Sequence, residues 1–321
     1  MVWKMVAAFA AIYLVWGSTY LAIRVAVETM PPFLMAGARF LAAGIAMYWF
    51  VRLRGASKPT KEQWAATGIV GVLMLFGGNG GVVWAEQYAT SGFVALVVTS
   101  VPLWVVAIDG FFPGGRKPTL GETAGLLLGF AGTAWLINPF EAERSVLMGS
   151  PLVGVVVLCA AFSWAAGSVL SKRLHGHPSP FLSTSMKMIA GGVALLIGGT
   201  VAGEWGRLDL SEISFSGWLS LAYLTLFGSI VAFTAYVWLL KNTSLARVST
   251  YAYVNPVVAV FLGAWILGEP VTSRLGIGGA VVVSAVFLVV MSHPKEQKET
   301  TDQITVVDGK AIPIAPLEEK S

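Results

Sequence analysis

Two cations stand where a membrane helix accommodates them least. Arg39 lies within the apolar run FLMAGARFLAAGIAMYWF (33–50), and Lys187 follows 148 positions later (187 − 39) in a second apolar run. A cation at such depth costs about 2.5 kcal/mol or more unless it finds a partner or snorkels to the surface. Glu86 and Asp109 are carboxylates at depths the two cations can reach, so Arg39 with Glu86 and Lys187 with Asp109 are the expected intramembrane ion pairs. Two alternatives stand beside this one. Both cations could snorkel to headgroups or bond helix-end carbonyls, or one of them could attract an anionic group of a substrate.

Other polar groups at depth suggest binding. Asn79 lies among Gly77, Gly78, Gly80 and Gly81, where missing side chains let a ligand or another backbone approach, and Asn255 precedes Pro256. Pro102 and Pro256 each remove a helix hydrogen bond, which makes them hinge candidates; a plain kink is the alternative. Trp16, Trp104, Trp164, Tyr236 and Tyr251 could give a substrate cavity flat apolar walls with polar tips, whereas Trp3, Trp49, Trp64, Trp205 and Trp218 fall near span ends as interface anchors. Helix contact or lipid contact is the competing role for any single one of these rings.

No catalytic residue, metal site or cofactor is expected. The chain has no HExxH, GxSxG or Walker pattern. His175, His177 and His293 are its only histidines, in a loop or near the tail, where solvation is the simplest expectation, and Cys159 is its only cysteine, so no disulfide forms within the chain.

The elements that position these groups follow from composition. Hydrophobic residues make up 56% of the chain and charged ones 12%, with a mean hydropathy of +0.74. A soluble domain carries about twice that charge. Ten apolar stretches are each long enough to cross about 30 Å of hydrocarbon as a helix. They cover about 3–23, 33–51, 64–85, 90–110, 121–138, 149–171, 181–202, 216–240, 246–267 and 275–292. None alternates as a barrel strand does. Lys and Arg concentrate in alternate loops (Arg52, Arg54, Lys58, Lys61, Arg116, Lys117, Lys172, Arg173, Lys241, Arg247), which places both termini in the cytoplasm by the positive-inside rule. The lipid bilayer is thus one partner, and no basic stripe suggests nucleic acid.

The chain also repeats itself. Trp16 matches Trp164, Pro32 matches Pro180 and Gly44 matches Gly192 at an offset of 148 (164 − 16). Further on the offset is 154 (238 − 84), joining Trp64 to Trp218, Trp84 to Trp238 and Pro102 to Pro256. Five spans per copy invert the second copy relative to the first. The expected fold is therefore an all-α polytopic membrane protein of ten transmembrane helices in two inverted five-helix repeats, 1–140 and 149–293, followed by a flexible cytoplasmic tail, 294–321.

Trp16-Gly17-Ser18, Pro31-Pro32-Phe33 before Arg39, Asn79 within FGGNGGVVWAEQYATSG, Pro102, and LGEPVT from Leu267 to Thr272 together resemble the drug/metabolite transporter superfamily, in particular its EamA-type ten-helix exporters. The resemblance covers about residues 1–292. It implies a multi-pass permease of a bacterial-type inner membrane that moves amino acids, other small metabolites or drugs through a central cavity lined mainly by the third, fourth, eighth and ninth spans. Protons are a candidate coupling ion. Uncoupled uniport and organic-anion or sugar-phosphate translocation are alternatives within transport, and a non-transporting scaffold is the alternative outside it.

Overall fold

The computed structural model describes residues 2–111, 117–137, 150–174, 176–243, 245–248, 250–292, 304–307 and 310–313. His175, His293 and most of the tail at 294–321 lie outside the described residues. Helices dominate: α1 Trp3–Val27, α2 Pro32–Leu53, α3 Lys61–Ala85, α4 Ser91–Phe111, α5 Leu120–Ile137, α6 Pro151–Arg173, α7 Pro180–Val201, α8 Phe215–Asn242, α9 Tyr251–Leu267 and α10 Ser273–Met291. Among the described residues eight of these, all but α5 and α9, are long and apolar enough to cross a membrane by length and composition. The chain is a polytopic membrane protein whose apolar segments are all helical. The expected spans at 121–138 and 246–267 correspond to α5 and to α9 preceded by the short helix Leu245–Val248. In the tail, Ile304–Val307 pairs antiparallel with Lys310–Pro313.

Local sequence sets the helix ends. Thr60 and Gln63 form a reciprocal capping box at the start of α3, and Thr90, Ser179, Ser214 and Thr272 cap α4, α7, α8 and α10 by accepting from the third residue on. Pro32, Pro151 and Pro180 occupy the first turns of α2, α6 and α7, where no amide donor is needed. Gly268 closes α9 at φ +65°, a left-handed conformation suited to glycine.

Three helices are locally unwound to π geometry. The segments are Ala11–Val15 in α1, Val72–Asn79 in α3 and Leu224–Phe233 in α8. Shifted by the 154-residue offset, the α3 segment falls on 226–233, inside the α8 segment. Wide turns displace backbone carbonyls from their usual partners, and both copies carry them at the same place. α4 is interrupted instead, running as Ser91–Val98 and Val101–Phe111 with Pro102 in the first turn of the second piece.

α2 and α7 cross in close contact at matched glycines. A Cβ on Gly44 would lie 2.9 Å from the Ile189 amide nitrogen, and a Cβ on Gly192 would lie 2.8 Å from that of Leu41. Ile189 is the repeat counterpart of Leu41 (189 − 41 = 148), so the contact is reciprocal, as in a two-fold interface. The glycines of α5 make close contacts within the chain: Gly125 faces Ala285 and Val289 of α10, Gly121 faces Ser292 just past its end, and Gly129 lies against Leu103 of α4 and Ala285.

Candidate functional site

The centre of the helix bundle holds an aromatic cluster drawn from both halves. Trp16 of α1 meets Trp164 of α6 edge to face at 5.6 Å. Tyr236 of α8 and Tyr251 of α9 lie 4.9 and 5.5 Å from the Trp16 ring. Beside this cluster is a cavity of about 70 Å³, lined by Trp16, Trp164, Tyr251, Arg39, Asn79 and Asn255 among others. That volume holds only a few waters. Tyr236, 1% exposed, backs the rings and is hydrogen-bonded with Ser168 at 2.9 Å.

The polar atoms of the cavity divide into satisfied and unsatisfied. Trp16 donates its indole N–H to the Gly228 carbonyl at 3.2 Å, within the π segment of α8. Asn255 turns its amide nitrogen to the carbonyls of Ile12 (3.1 Å), Tyr13 (3.0 Å) and Tyr251 (3.2 Å), two of them in the π turn of α1. Its role is therefore to satisfy a wide helical turn. Arg39 donates from Nε to the Ser229 hydroxyl at 2.7 Å and lies over the Phe40 ring at 4.5 Å, but its Nη1 has no hydrogen-bond partner. The Asn79 Oδ1 is likewise buried and without a partner. Trp164 Nε1 also lacks a hydrogen bond, so two donors and one acceptor are left open at the wall of one cavity.

The expected ion pairs do not form. Arg39 turns to Ser229 because α8 packs on α2 and its wide turn brings that hydroxyl within reach. Glu86 is fully buried, both its carboxylate oxygens lack hydrogen bonds, and Arg24 bonds the Glu86 carbonyl instead. Lys187, 3% exposed, donates to Ser171 at 2.6 Å, and Asp109 pairs with Arg173 at 2.6 Å. Both partners, Ser171 and Arg173, lie in the last turn of α6, which packs on α4.

Trp104 also departs from expectation. After the interruption at Thr99 and Ser100 it packs on Phe130 of α5 and Phe162 of α6, at 4.7 and 5.2 Å, away from the cavity. α4 gives the cavity only Val98, whereas α1 gives Trp16, Thr19, Tyr20 and Ile23. Pro102 follows the break in α4 and Pro256 lies inside α9 next to Asn255. His177 is not solvated. It is 3% exposed, its Nδ1 accepts from the Ser179 amide at 3.1 Å, and its Nε2 meets Ser57 at 3.0 Å.

Two carboxylates not singled out by sequence reasoning tie helices together. Glu204 accepts from the Phe33 and Leu34 amides at the start of α2, at 3.3 and 2.9 Å. Glu269 accepts from the Ser91 amide and hydroxyl and the Gly92 amide at the start of α4, at 2.9, 2.7 and 3.4 Å. Each clamp joins one half of the chain to the other, at a helix end whose free amides favour an anion. For Glu269 the signal was present in LGEPVT, a motif too short to show which helix end it meets.

The chain matches the EamA-like transporter family twice, over residues 3–138 and 152–291. It is 41% identical over 286 residues to the inner membrane transporter YedA of Escherichia coli, covering 88% of this chain and 90% of that one. The transporter YoaV of Bacillus subtilis is 24% identical over 293 residues, covering 89% and 96%. A solved crystal structure shares the fold at a TM-score of 0.62 and 20% identity, over 90% of this chain and 97% of the other. With a duplicated helical frame, a cavity at its centre and a family match to nearly the whole of both copies, the chain belongs to the EamA-like transporter family.

Proposed function

We propose that the chain is an inner-membrane secondary transporter that exports amino acids or other small amphipathic metabolites and drugs. Ten crossings in two oppositely oriented copies, with both termini in the cytoplasm, rock about the seam where Trp16 meets Trp164. The observation that carries this reading is the set of open polar atoms in the aromatic-walled cavity. Arg39 Nη1 offers a charged donor to a carboxylate, and Asn79 Oδ1 offers an acceptor to an ammonium or hydroxyl group. The rings accept an apolar or aromatic side chain. A cavity of about 70 Å³ is below the roughly 300–1,000 Å³ of ligand pockets, so binding requires the cluster to part. Pro102 and Pro256, at an interruption and inside a helix next to the cavity, are the hinges in this scheme.

Organic-anion translocation with both cations in one site loses its geometric basis, because Arg39 and Lys187 line different spaces. Uncoupled uniport is the reading to separate from antiport. Proteoliposome flux over a panel of amino acids, amines and carboxylates, with and without an imposed pH gradient, tests both. Flux of zwitterionic amino acids that Arg39→Gln reduces at least tenfold is expected. Flux independent of the gradient removes the antiport, and no flux of any compound removes the transporter reading.

A further inference from the structure

Below the central cavity lies a second space whose chemistry transport of a zwitterion does not use. It is a crevice of about 500 Å³ bounded by α3, α6, α7 and α8, lined by Thr67, Ser171, Lys172, Ser183, Lys187 and Lys241 among others. None of its described lining residues is acidic. Lys187 is buried within it, and its one hydrogen bond is to the Ser171 hydroxyl, which carries no charge to neutralise an ammonium. Gly71 of α3 packs so tightly on the Lys187 main chain that a Cβ there would lie 2.8 Å from the Lys187 Cα, which fixes α7 against α3 and keeps the lysine in the crevice. Lys241 is anchored beside it by the carbonyls of His177 and Pro178 at 3.1 and 3.3 Å. His177, held by Ser57 and Ser179, steadies that rim.

Two cations of the described structure pair with carboxylates, Arg173 with Asp109 and Arg207 with Glu204. Lys187 and Lys241 share a polar crevice in which only dipoles answer them. Two like charges so placed lower each other's stability unless an anion joins them. We propose that this crevice is a binding site for a phosphate group, with the Lys187 and Lys241 ammoniums and the Ser171 hydroxyl as its ligands. Phosphate suits the arrangement because its several oxygens can be shared between separate point-charge donors, whereas a carboxylate presents two oxygens in one plane. The group can come from the headgroup of an anionic phospholipid or from a free phosphate compound, and basic pockets between membrane helices serve the former elsewhere.

The site is independent of the transported compound, since Arg39 and Asn79 lie in the other cavity. The test uses the purified full-length protein at constant ionic strength. One arm follows thermal unfolding in detergent with inorganic phosphate against chloride. The other counts retained lipid by native mass spectrometry after mixing with phosphatidylglycerol or phosphatidylcholine. A saturable phosphate stabilisation identifies a free anion, and selective retention of phosphatidylglycerol identifies a headgroup; either supports the site. The expected affinity loss is at least fivefold in Lys241→Gln and in Ser171→Ala, and none in the loop variant Lys58→Gln. Lys187→Gln should show the largest loss, and if it does not fold the other two variants still decide. Neither ligand binding above the chloride and phosphatidylcholine controls, or binding unchanged in Lys241→Gln and Ser171→Ala, overturns the proposal.

Discussion

The indole rings of Trp16 and Trp164 meet edge to face with their centroids 5.6 Å apart, although 148 residues separate them in the chain (164 − 16). They occupy matching positions of the two copies, yet their hydrogen bonding differs. Trp16 Nε1 donates to the Gly228 carbonyl, while Trp164 Nε1 is buried with no partner. Replacing Trp16 by Phe strands a buried carbonyl and should cost about 1–3 kcal/mol. Replacing Trp164 by Phe gives up ring contacts with Trp16, Phe233 and Tyr236 but no hydrogen bond of normal geometry, so it should cost clearly less than Trp16→Phe. Thermal unfolding of both variants in one detergent checks the order; equal losses would mean that the rings contribute only area.

The reciprocal crossing of α2 and α7 makes a further demand. Gly44→Ala and Gly192→Ala each add a methyl group within 3 Å of a backbone nitrogen of the facing helix. Overpacking of this kind costs about 1–3 kcal/mol. Because the two contacts sit on one crossing, separating the helices for one methyl makes room for the second. The double variant should therefore lose clearly less stability than the sum of the singles. Additive losses in a double-mutant cycle would show that the two glycines act separately.

How far these features were legible in the sequence depended on whether they were set along the chain or across it. Apolar run length marked the helices, and widely spaced rare residues marked the repeat, which the matched π segments of α3 and α8 now express in geometry. Trp16, Asn79, Trp164, Tyr251 and Asn255 do reach the cavity, because depth along a helix can be counted. Partner choice cannot be counted that way. Arg39 went to Ser229, not Glu86, because the wide turn of α8 brings a hydroxyl within reach, and nothing in the local sequence encodes the helix azimuth that results. Trp104 left the cavity for a related reason: the break at Thr99 and Ser100 resets the face of everything that follows in α4.

Glu86 tests the coupling proposal. It is buried at the end of α3 and both of its carboxylate oxygens lack hydrogen bonds, so a coupling proton has an unshared acceptor there. In flux assays Glu86→Gln should lose the response to an imposed pH gradient while still exchanging substrate. A response to the gradient that survives in Glu86→Gln would assign coupling to another group.

Glu269 sits in a notch that glycine leaves open. A Cβ on Gly263 would collide with the Glu269 carboxylate and come within 2.7 Å of the Ser91 hydroxyl. The carboxylate accepts three hydrogen bonds at the start of α4, where the helix dipole adds to their strength. Glu269→Ala should cost about 1.5–3 kcal/mol, the range for hydrogen bonds to a charged group. Gly263→Ala should cost a similar amount by a different route, because it pushes the intact carboxylate off the same amides. Once Glu269 is absent, the methyl group at position 263 meets only the Ser91 hydroxyl, which can then rotate away, so Gly263→Ala made in the Glu269→Ala background should add clearly less than it costs alone. A double-mutant cycle on Tm reads this directly. Full additivity would show that the glycine matters for helix contact alone and that the clamp does not depend on it.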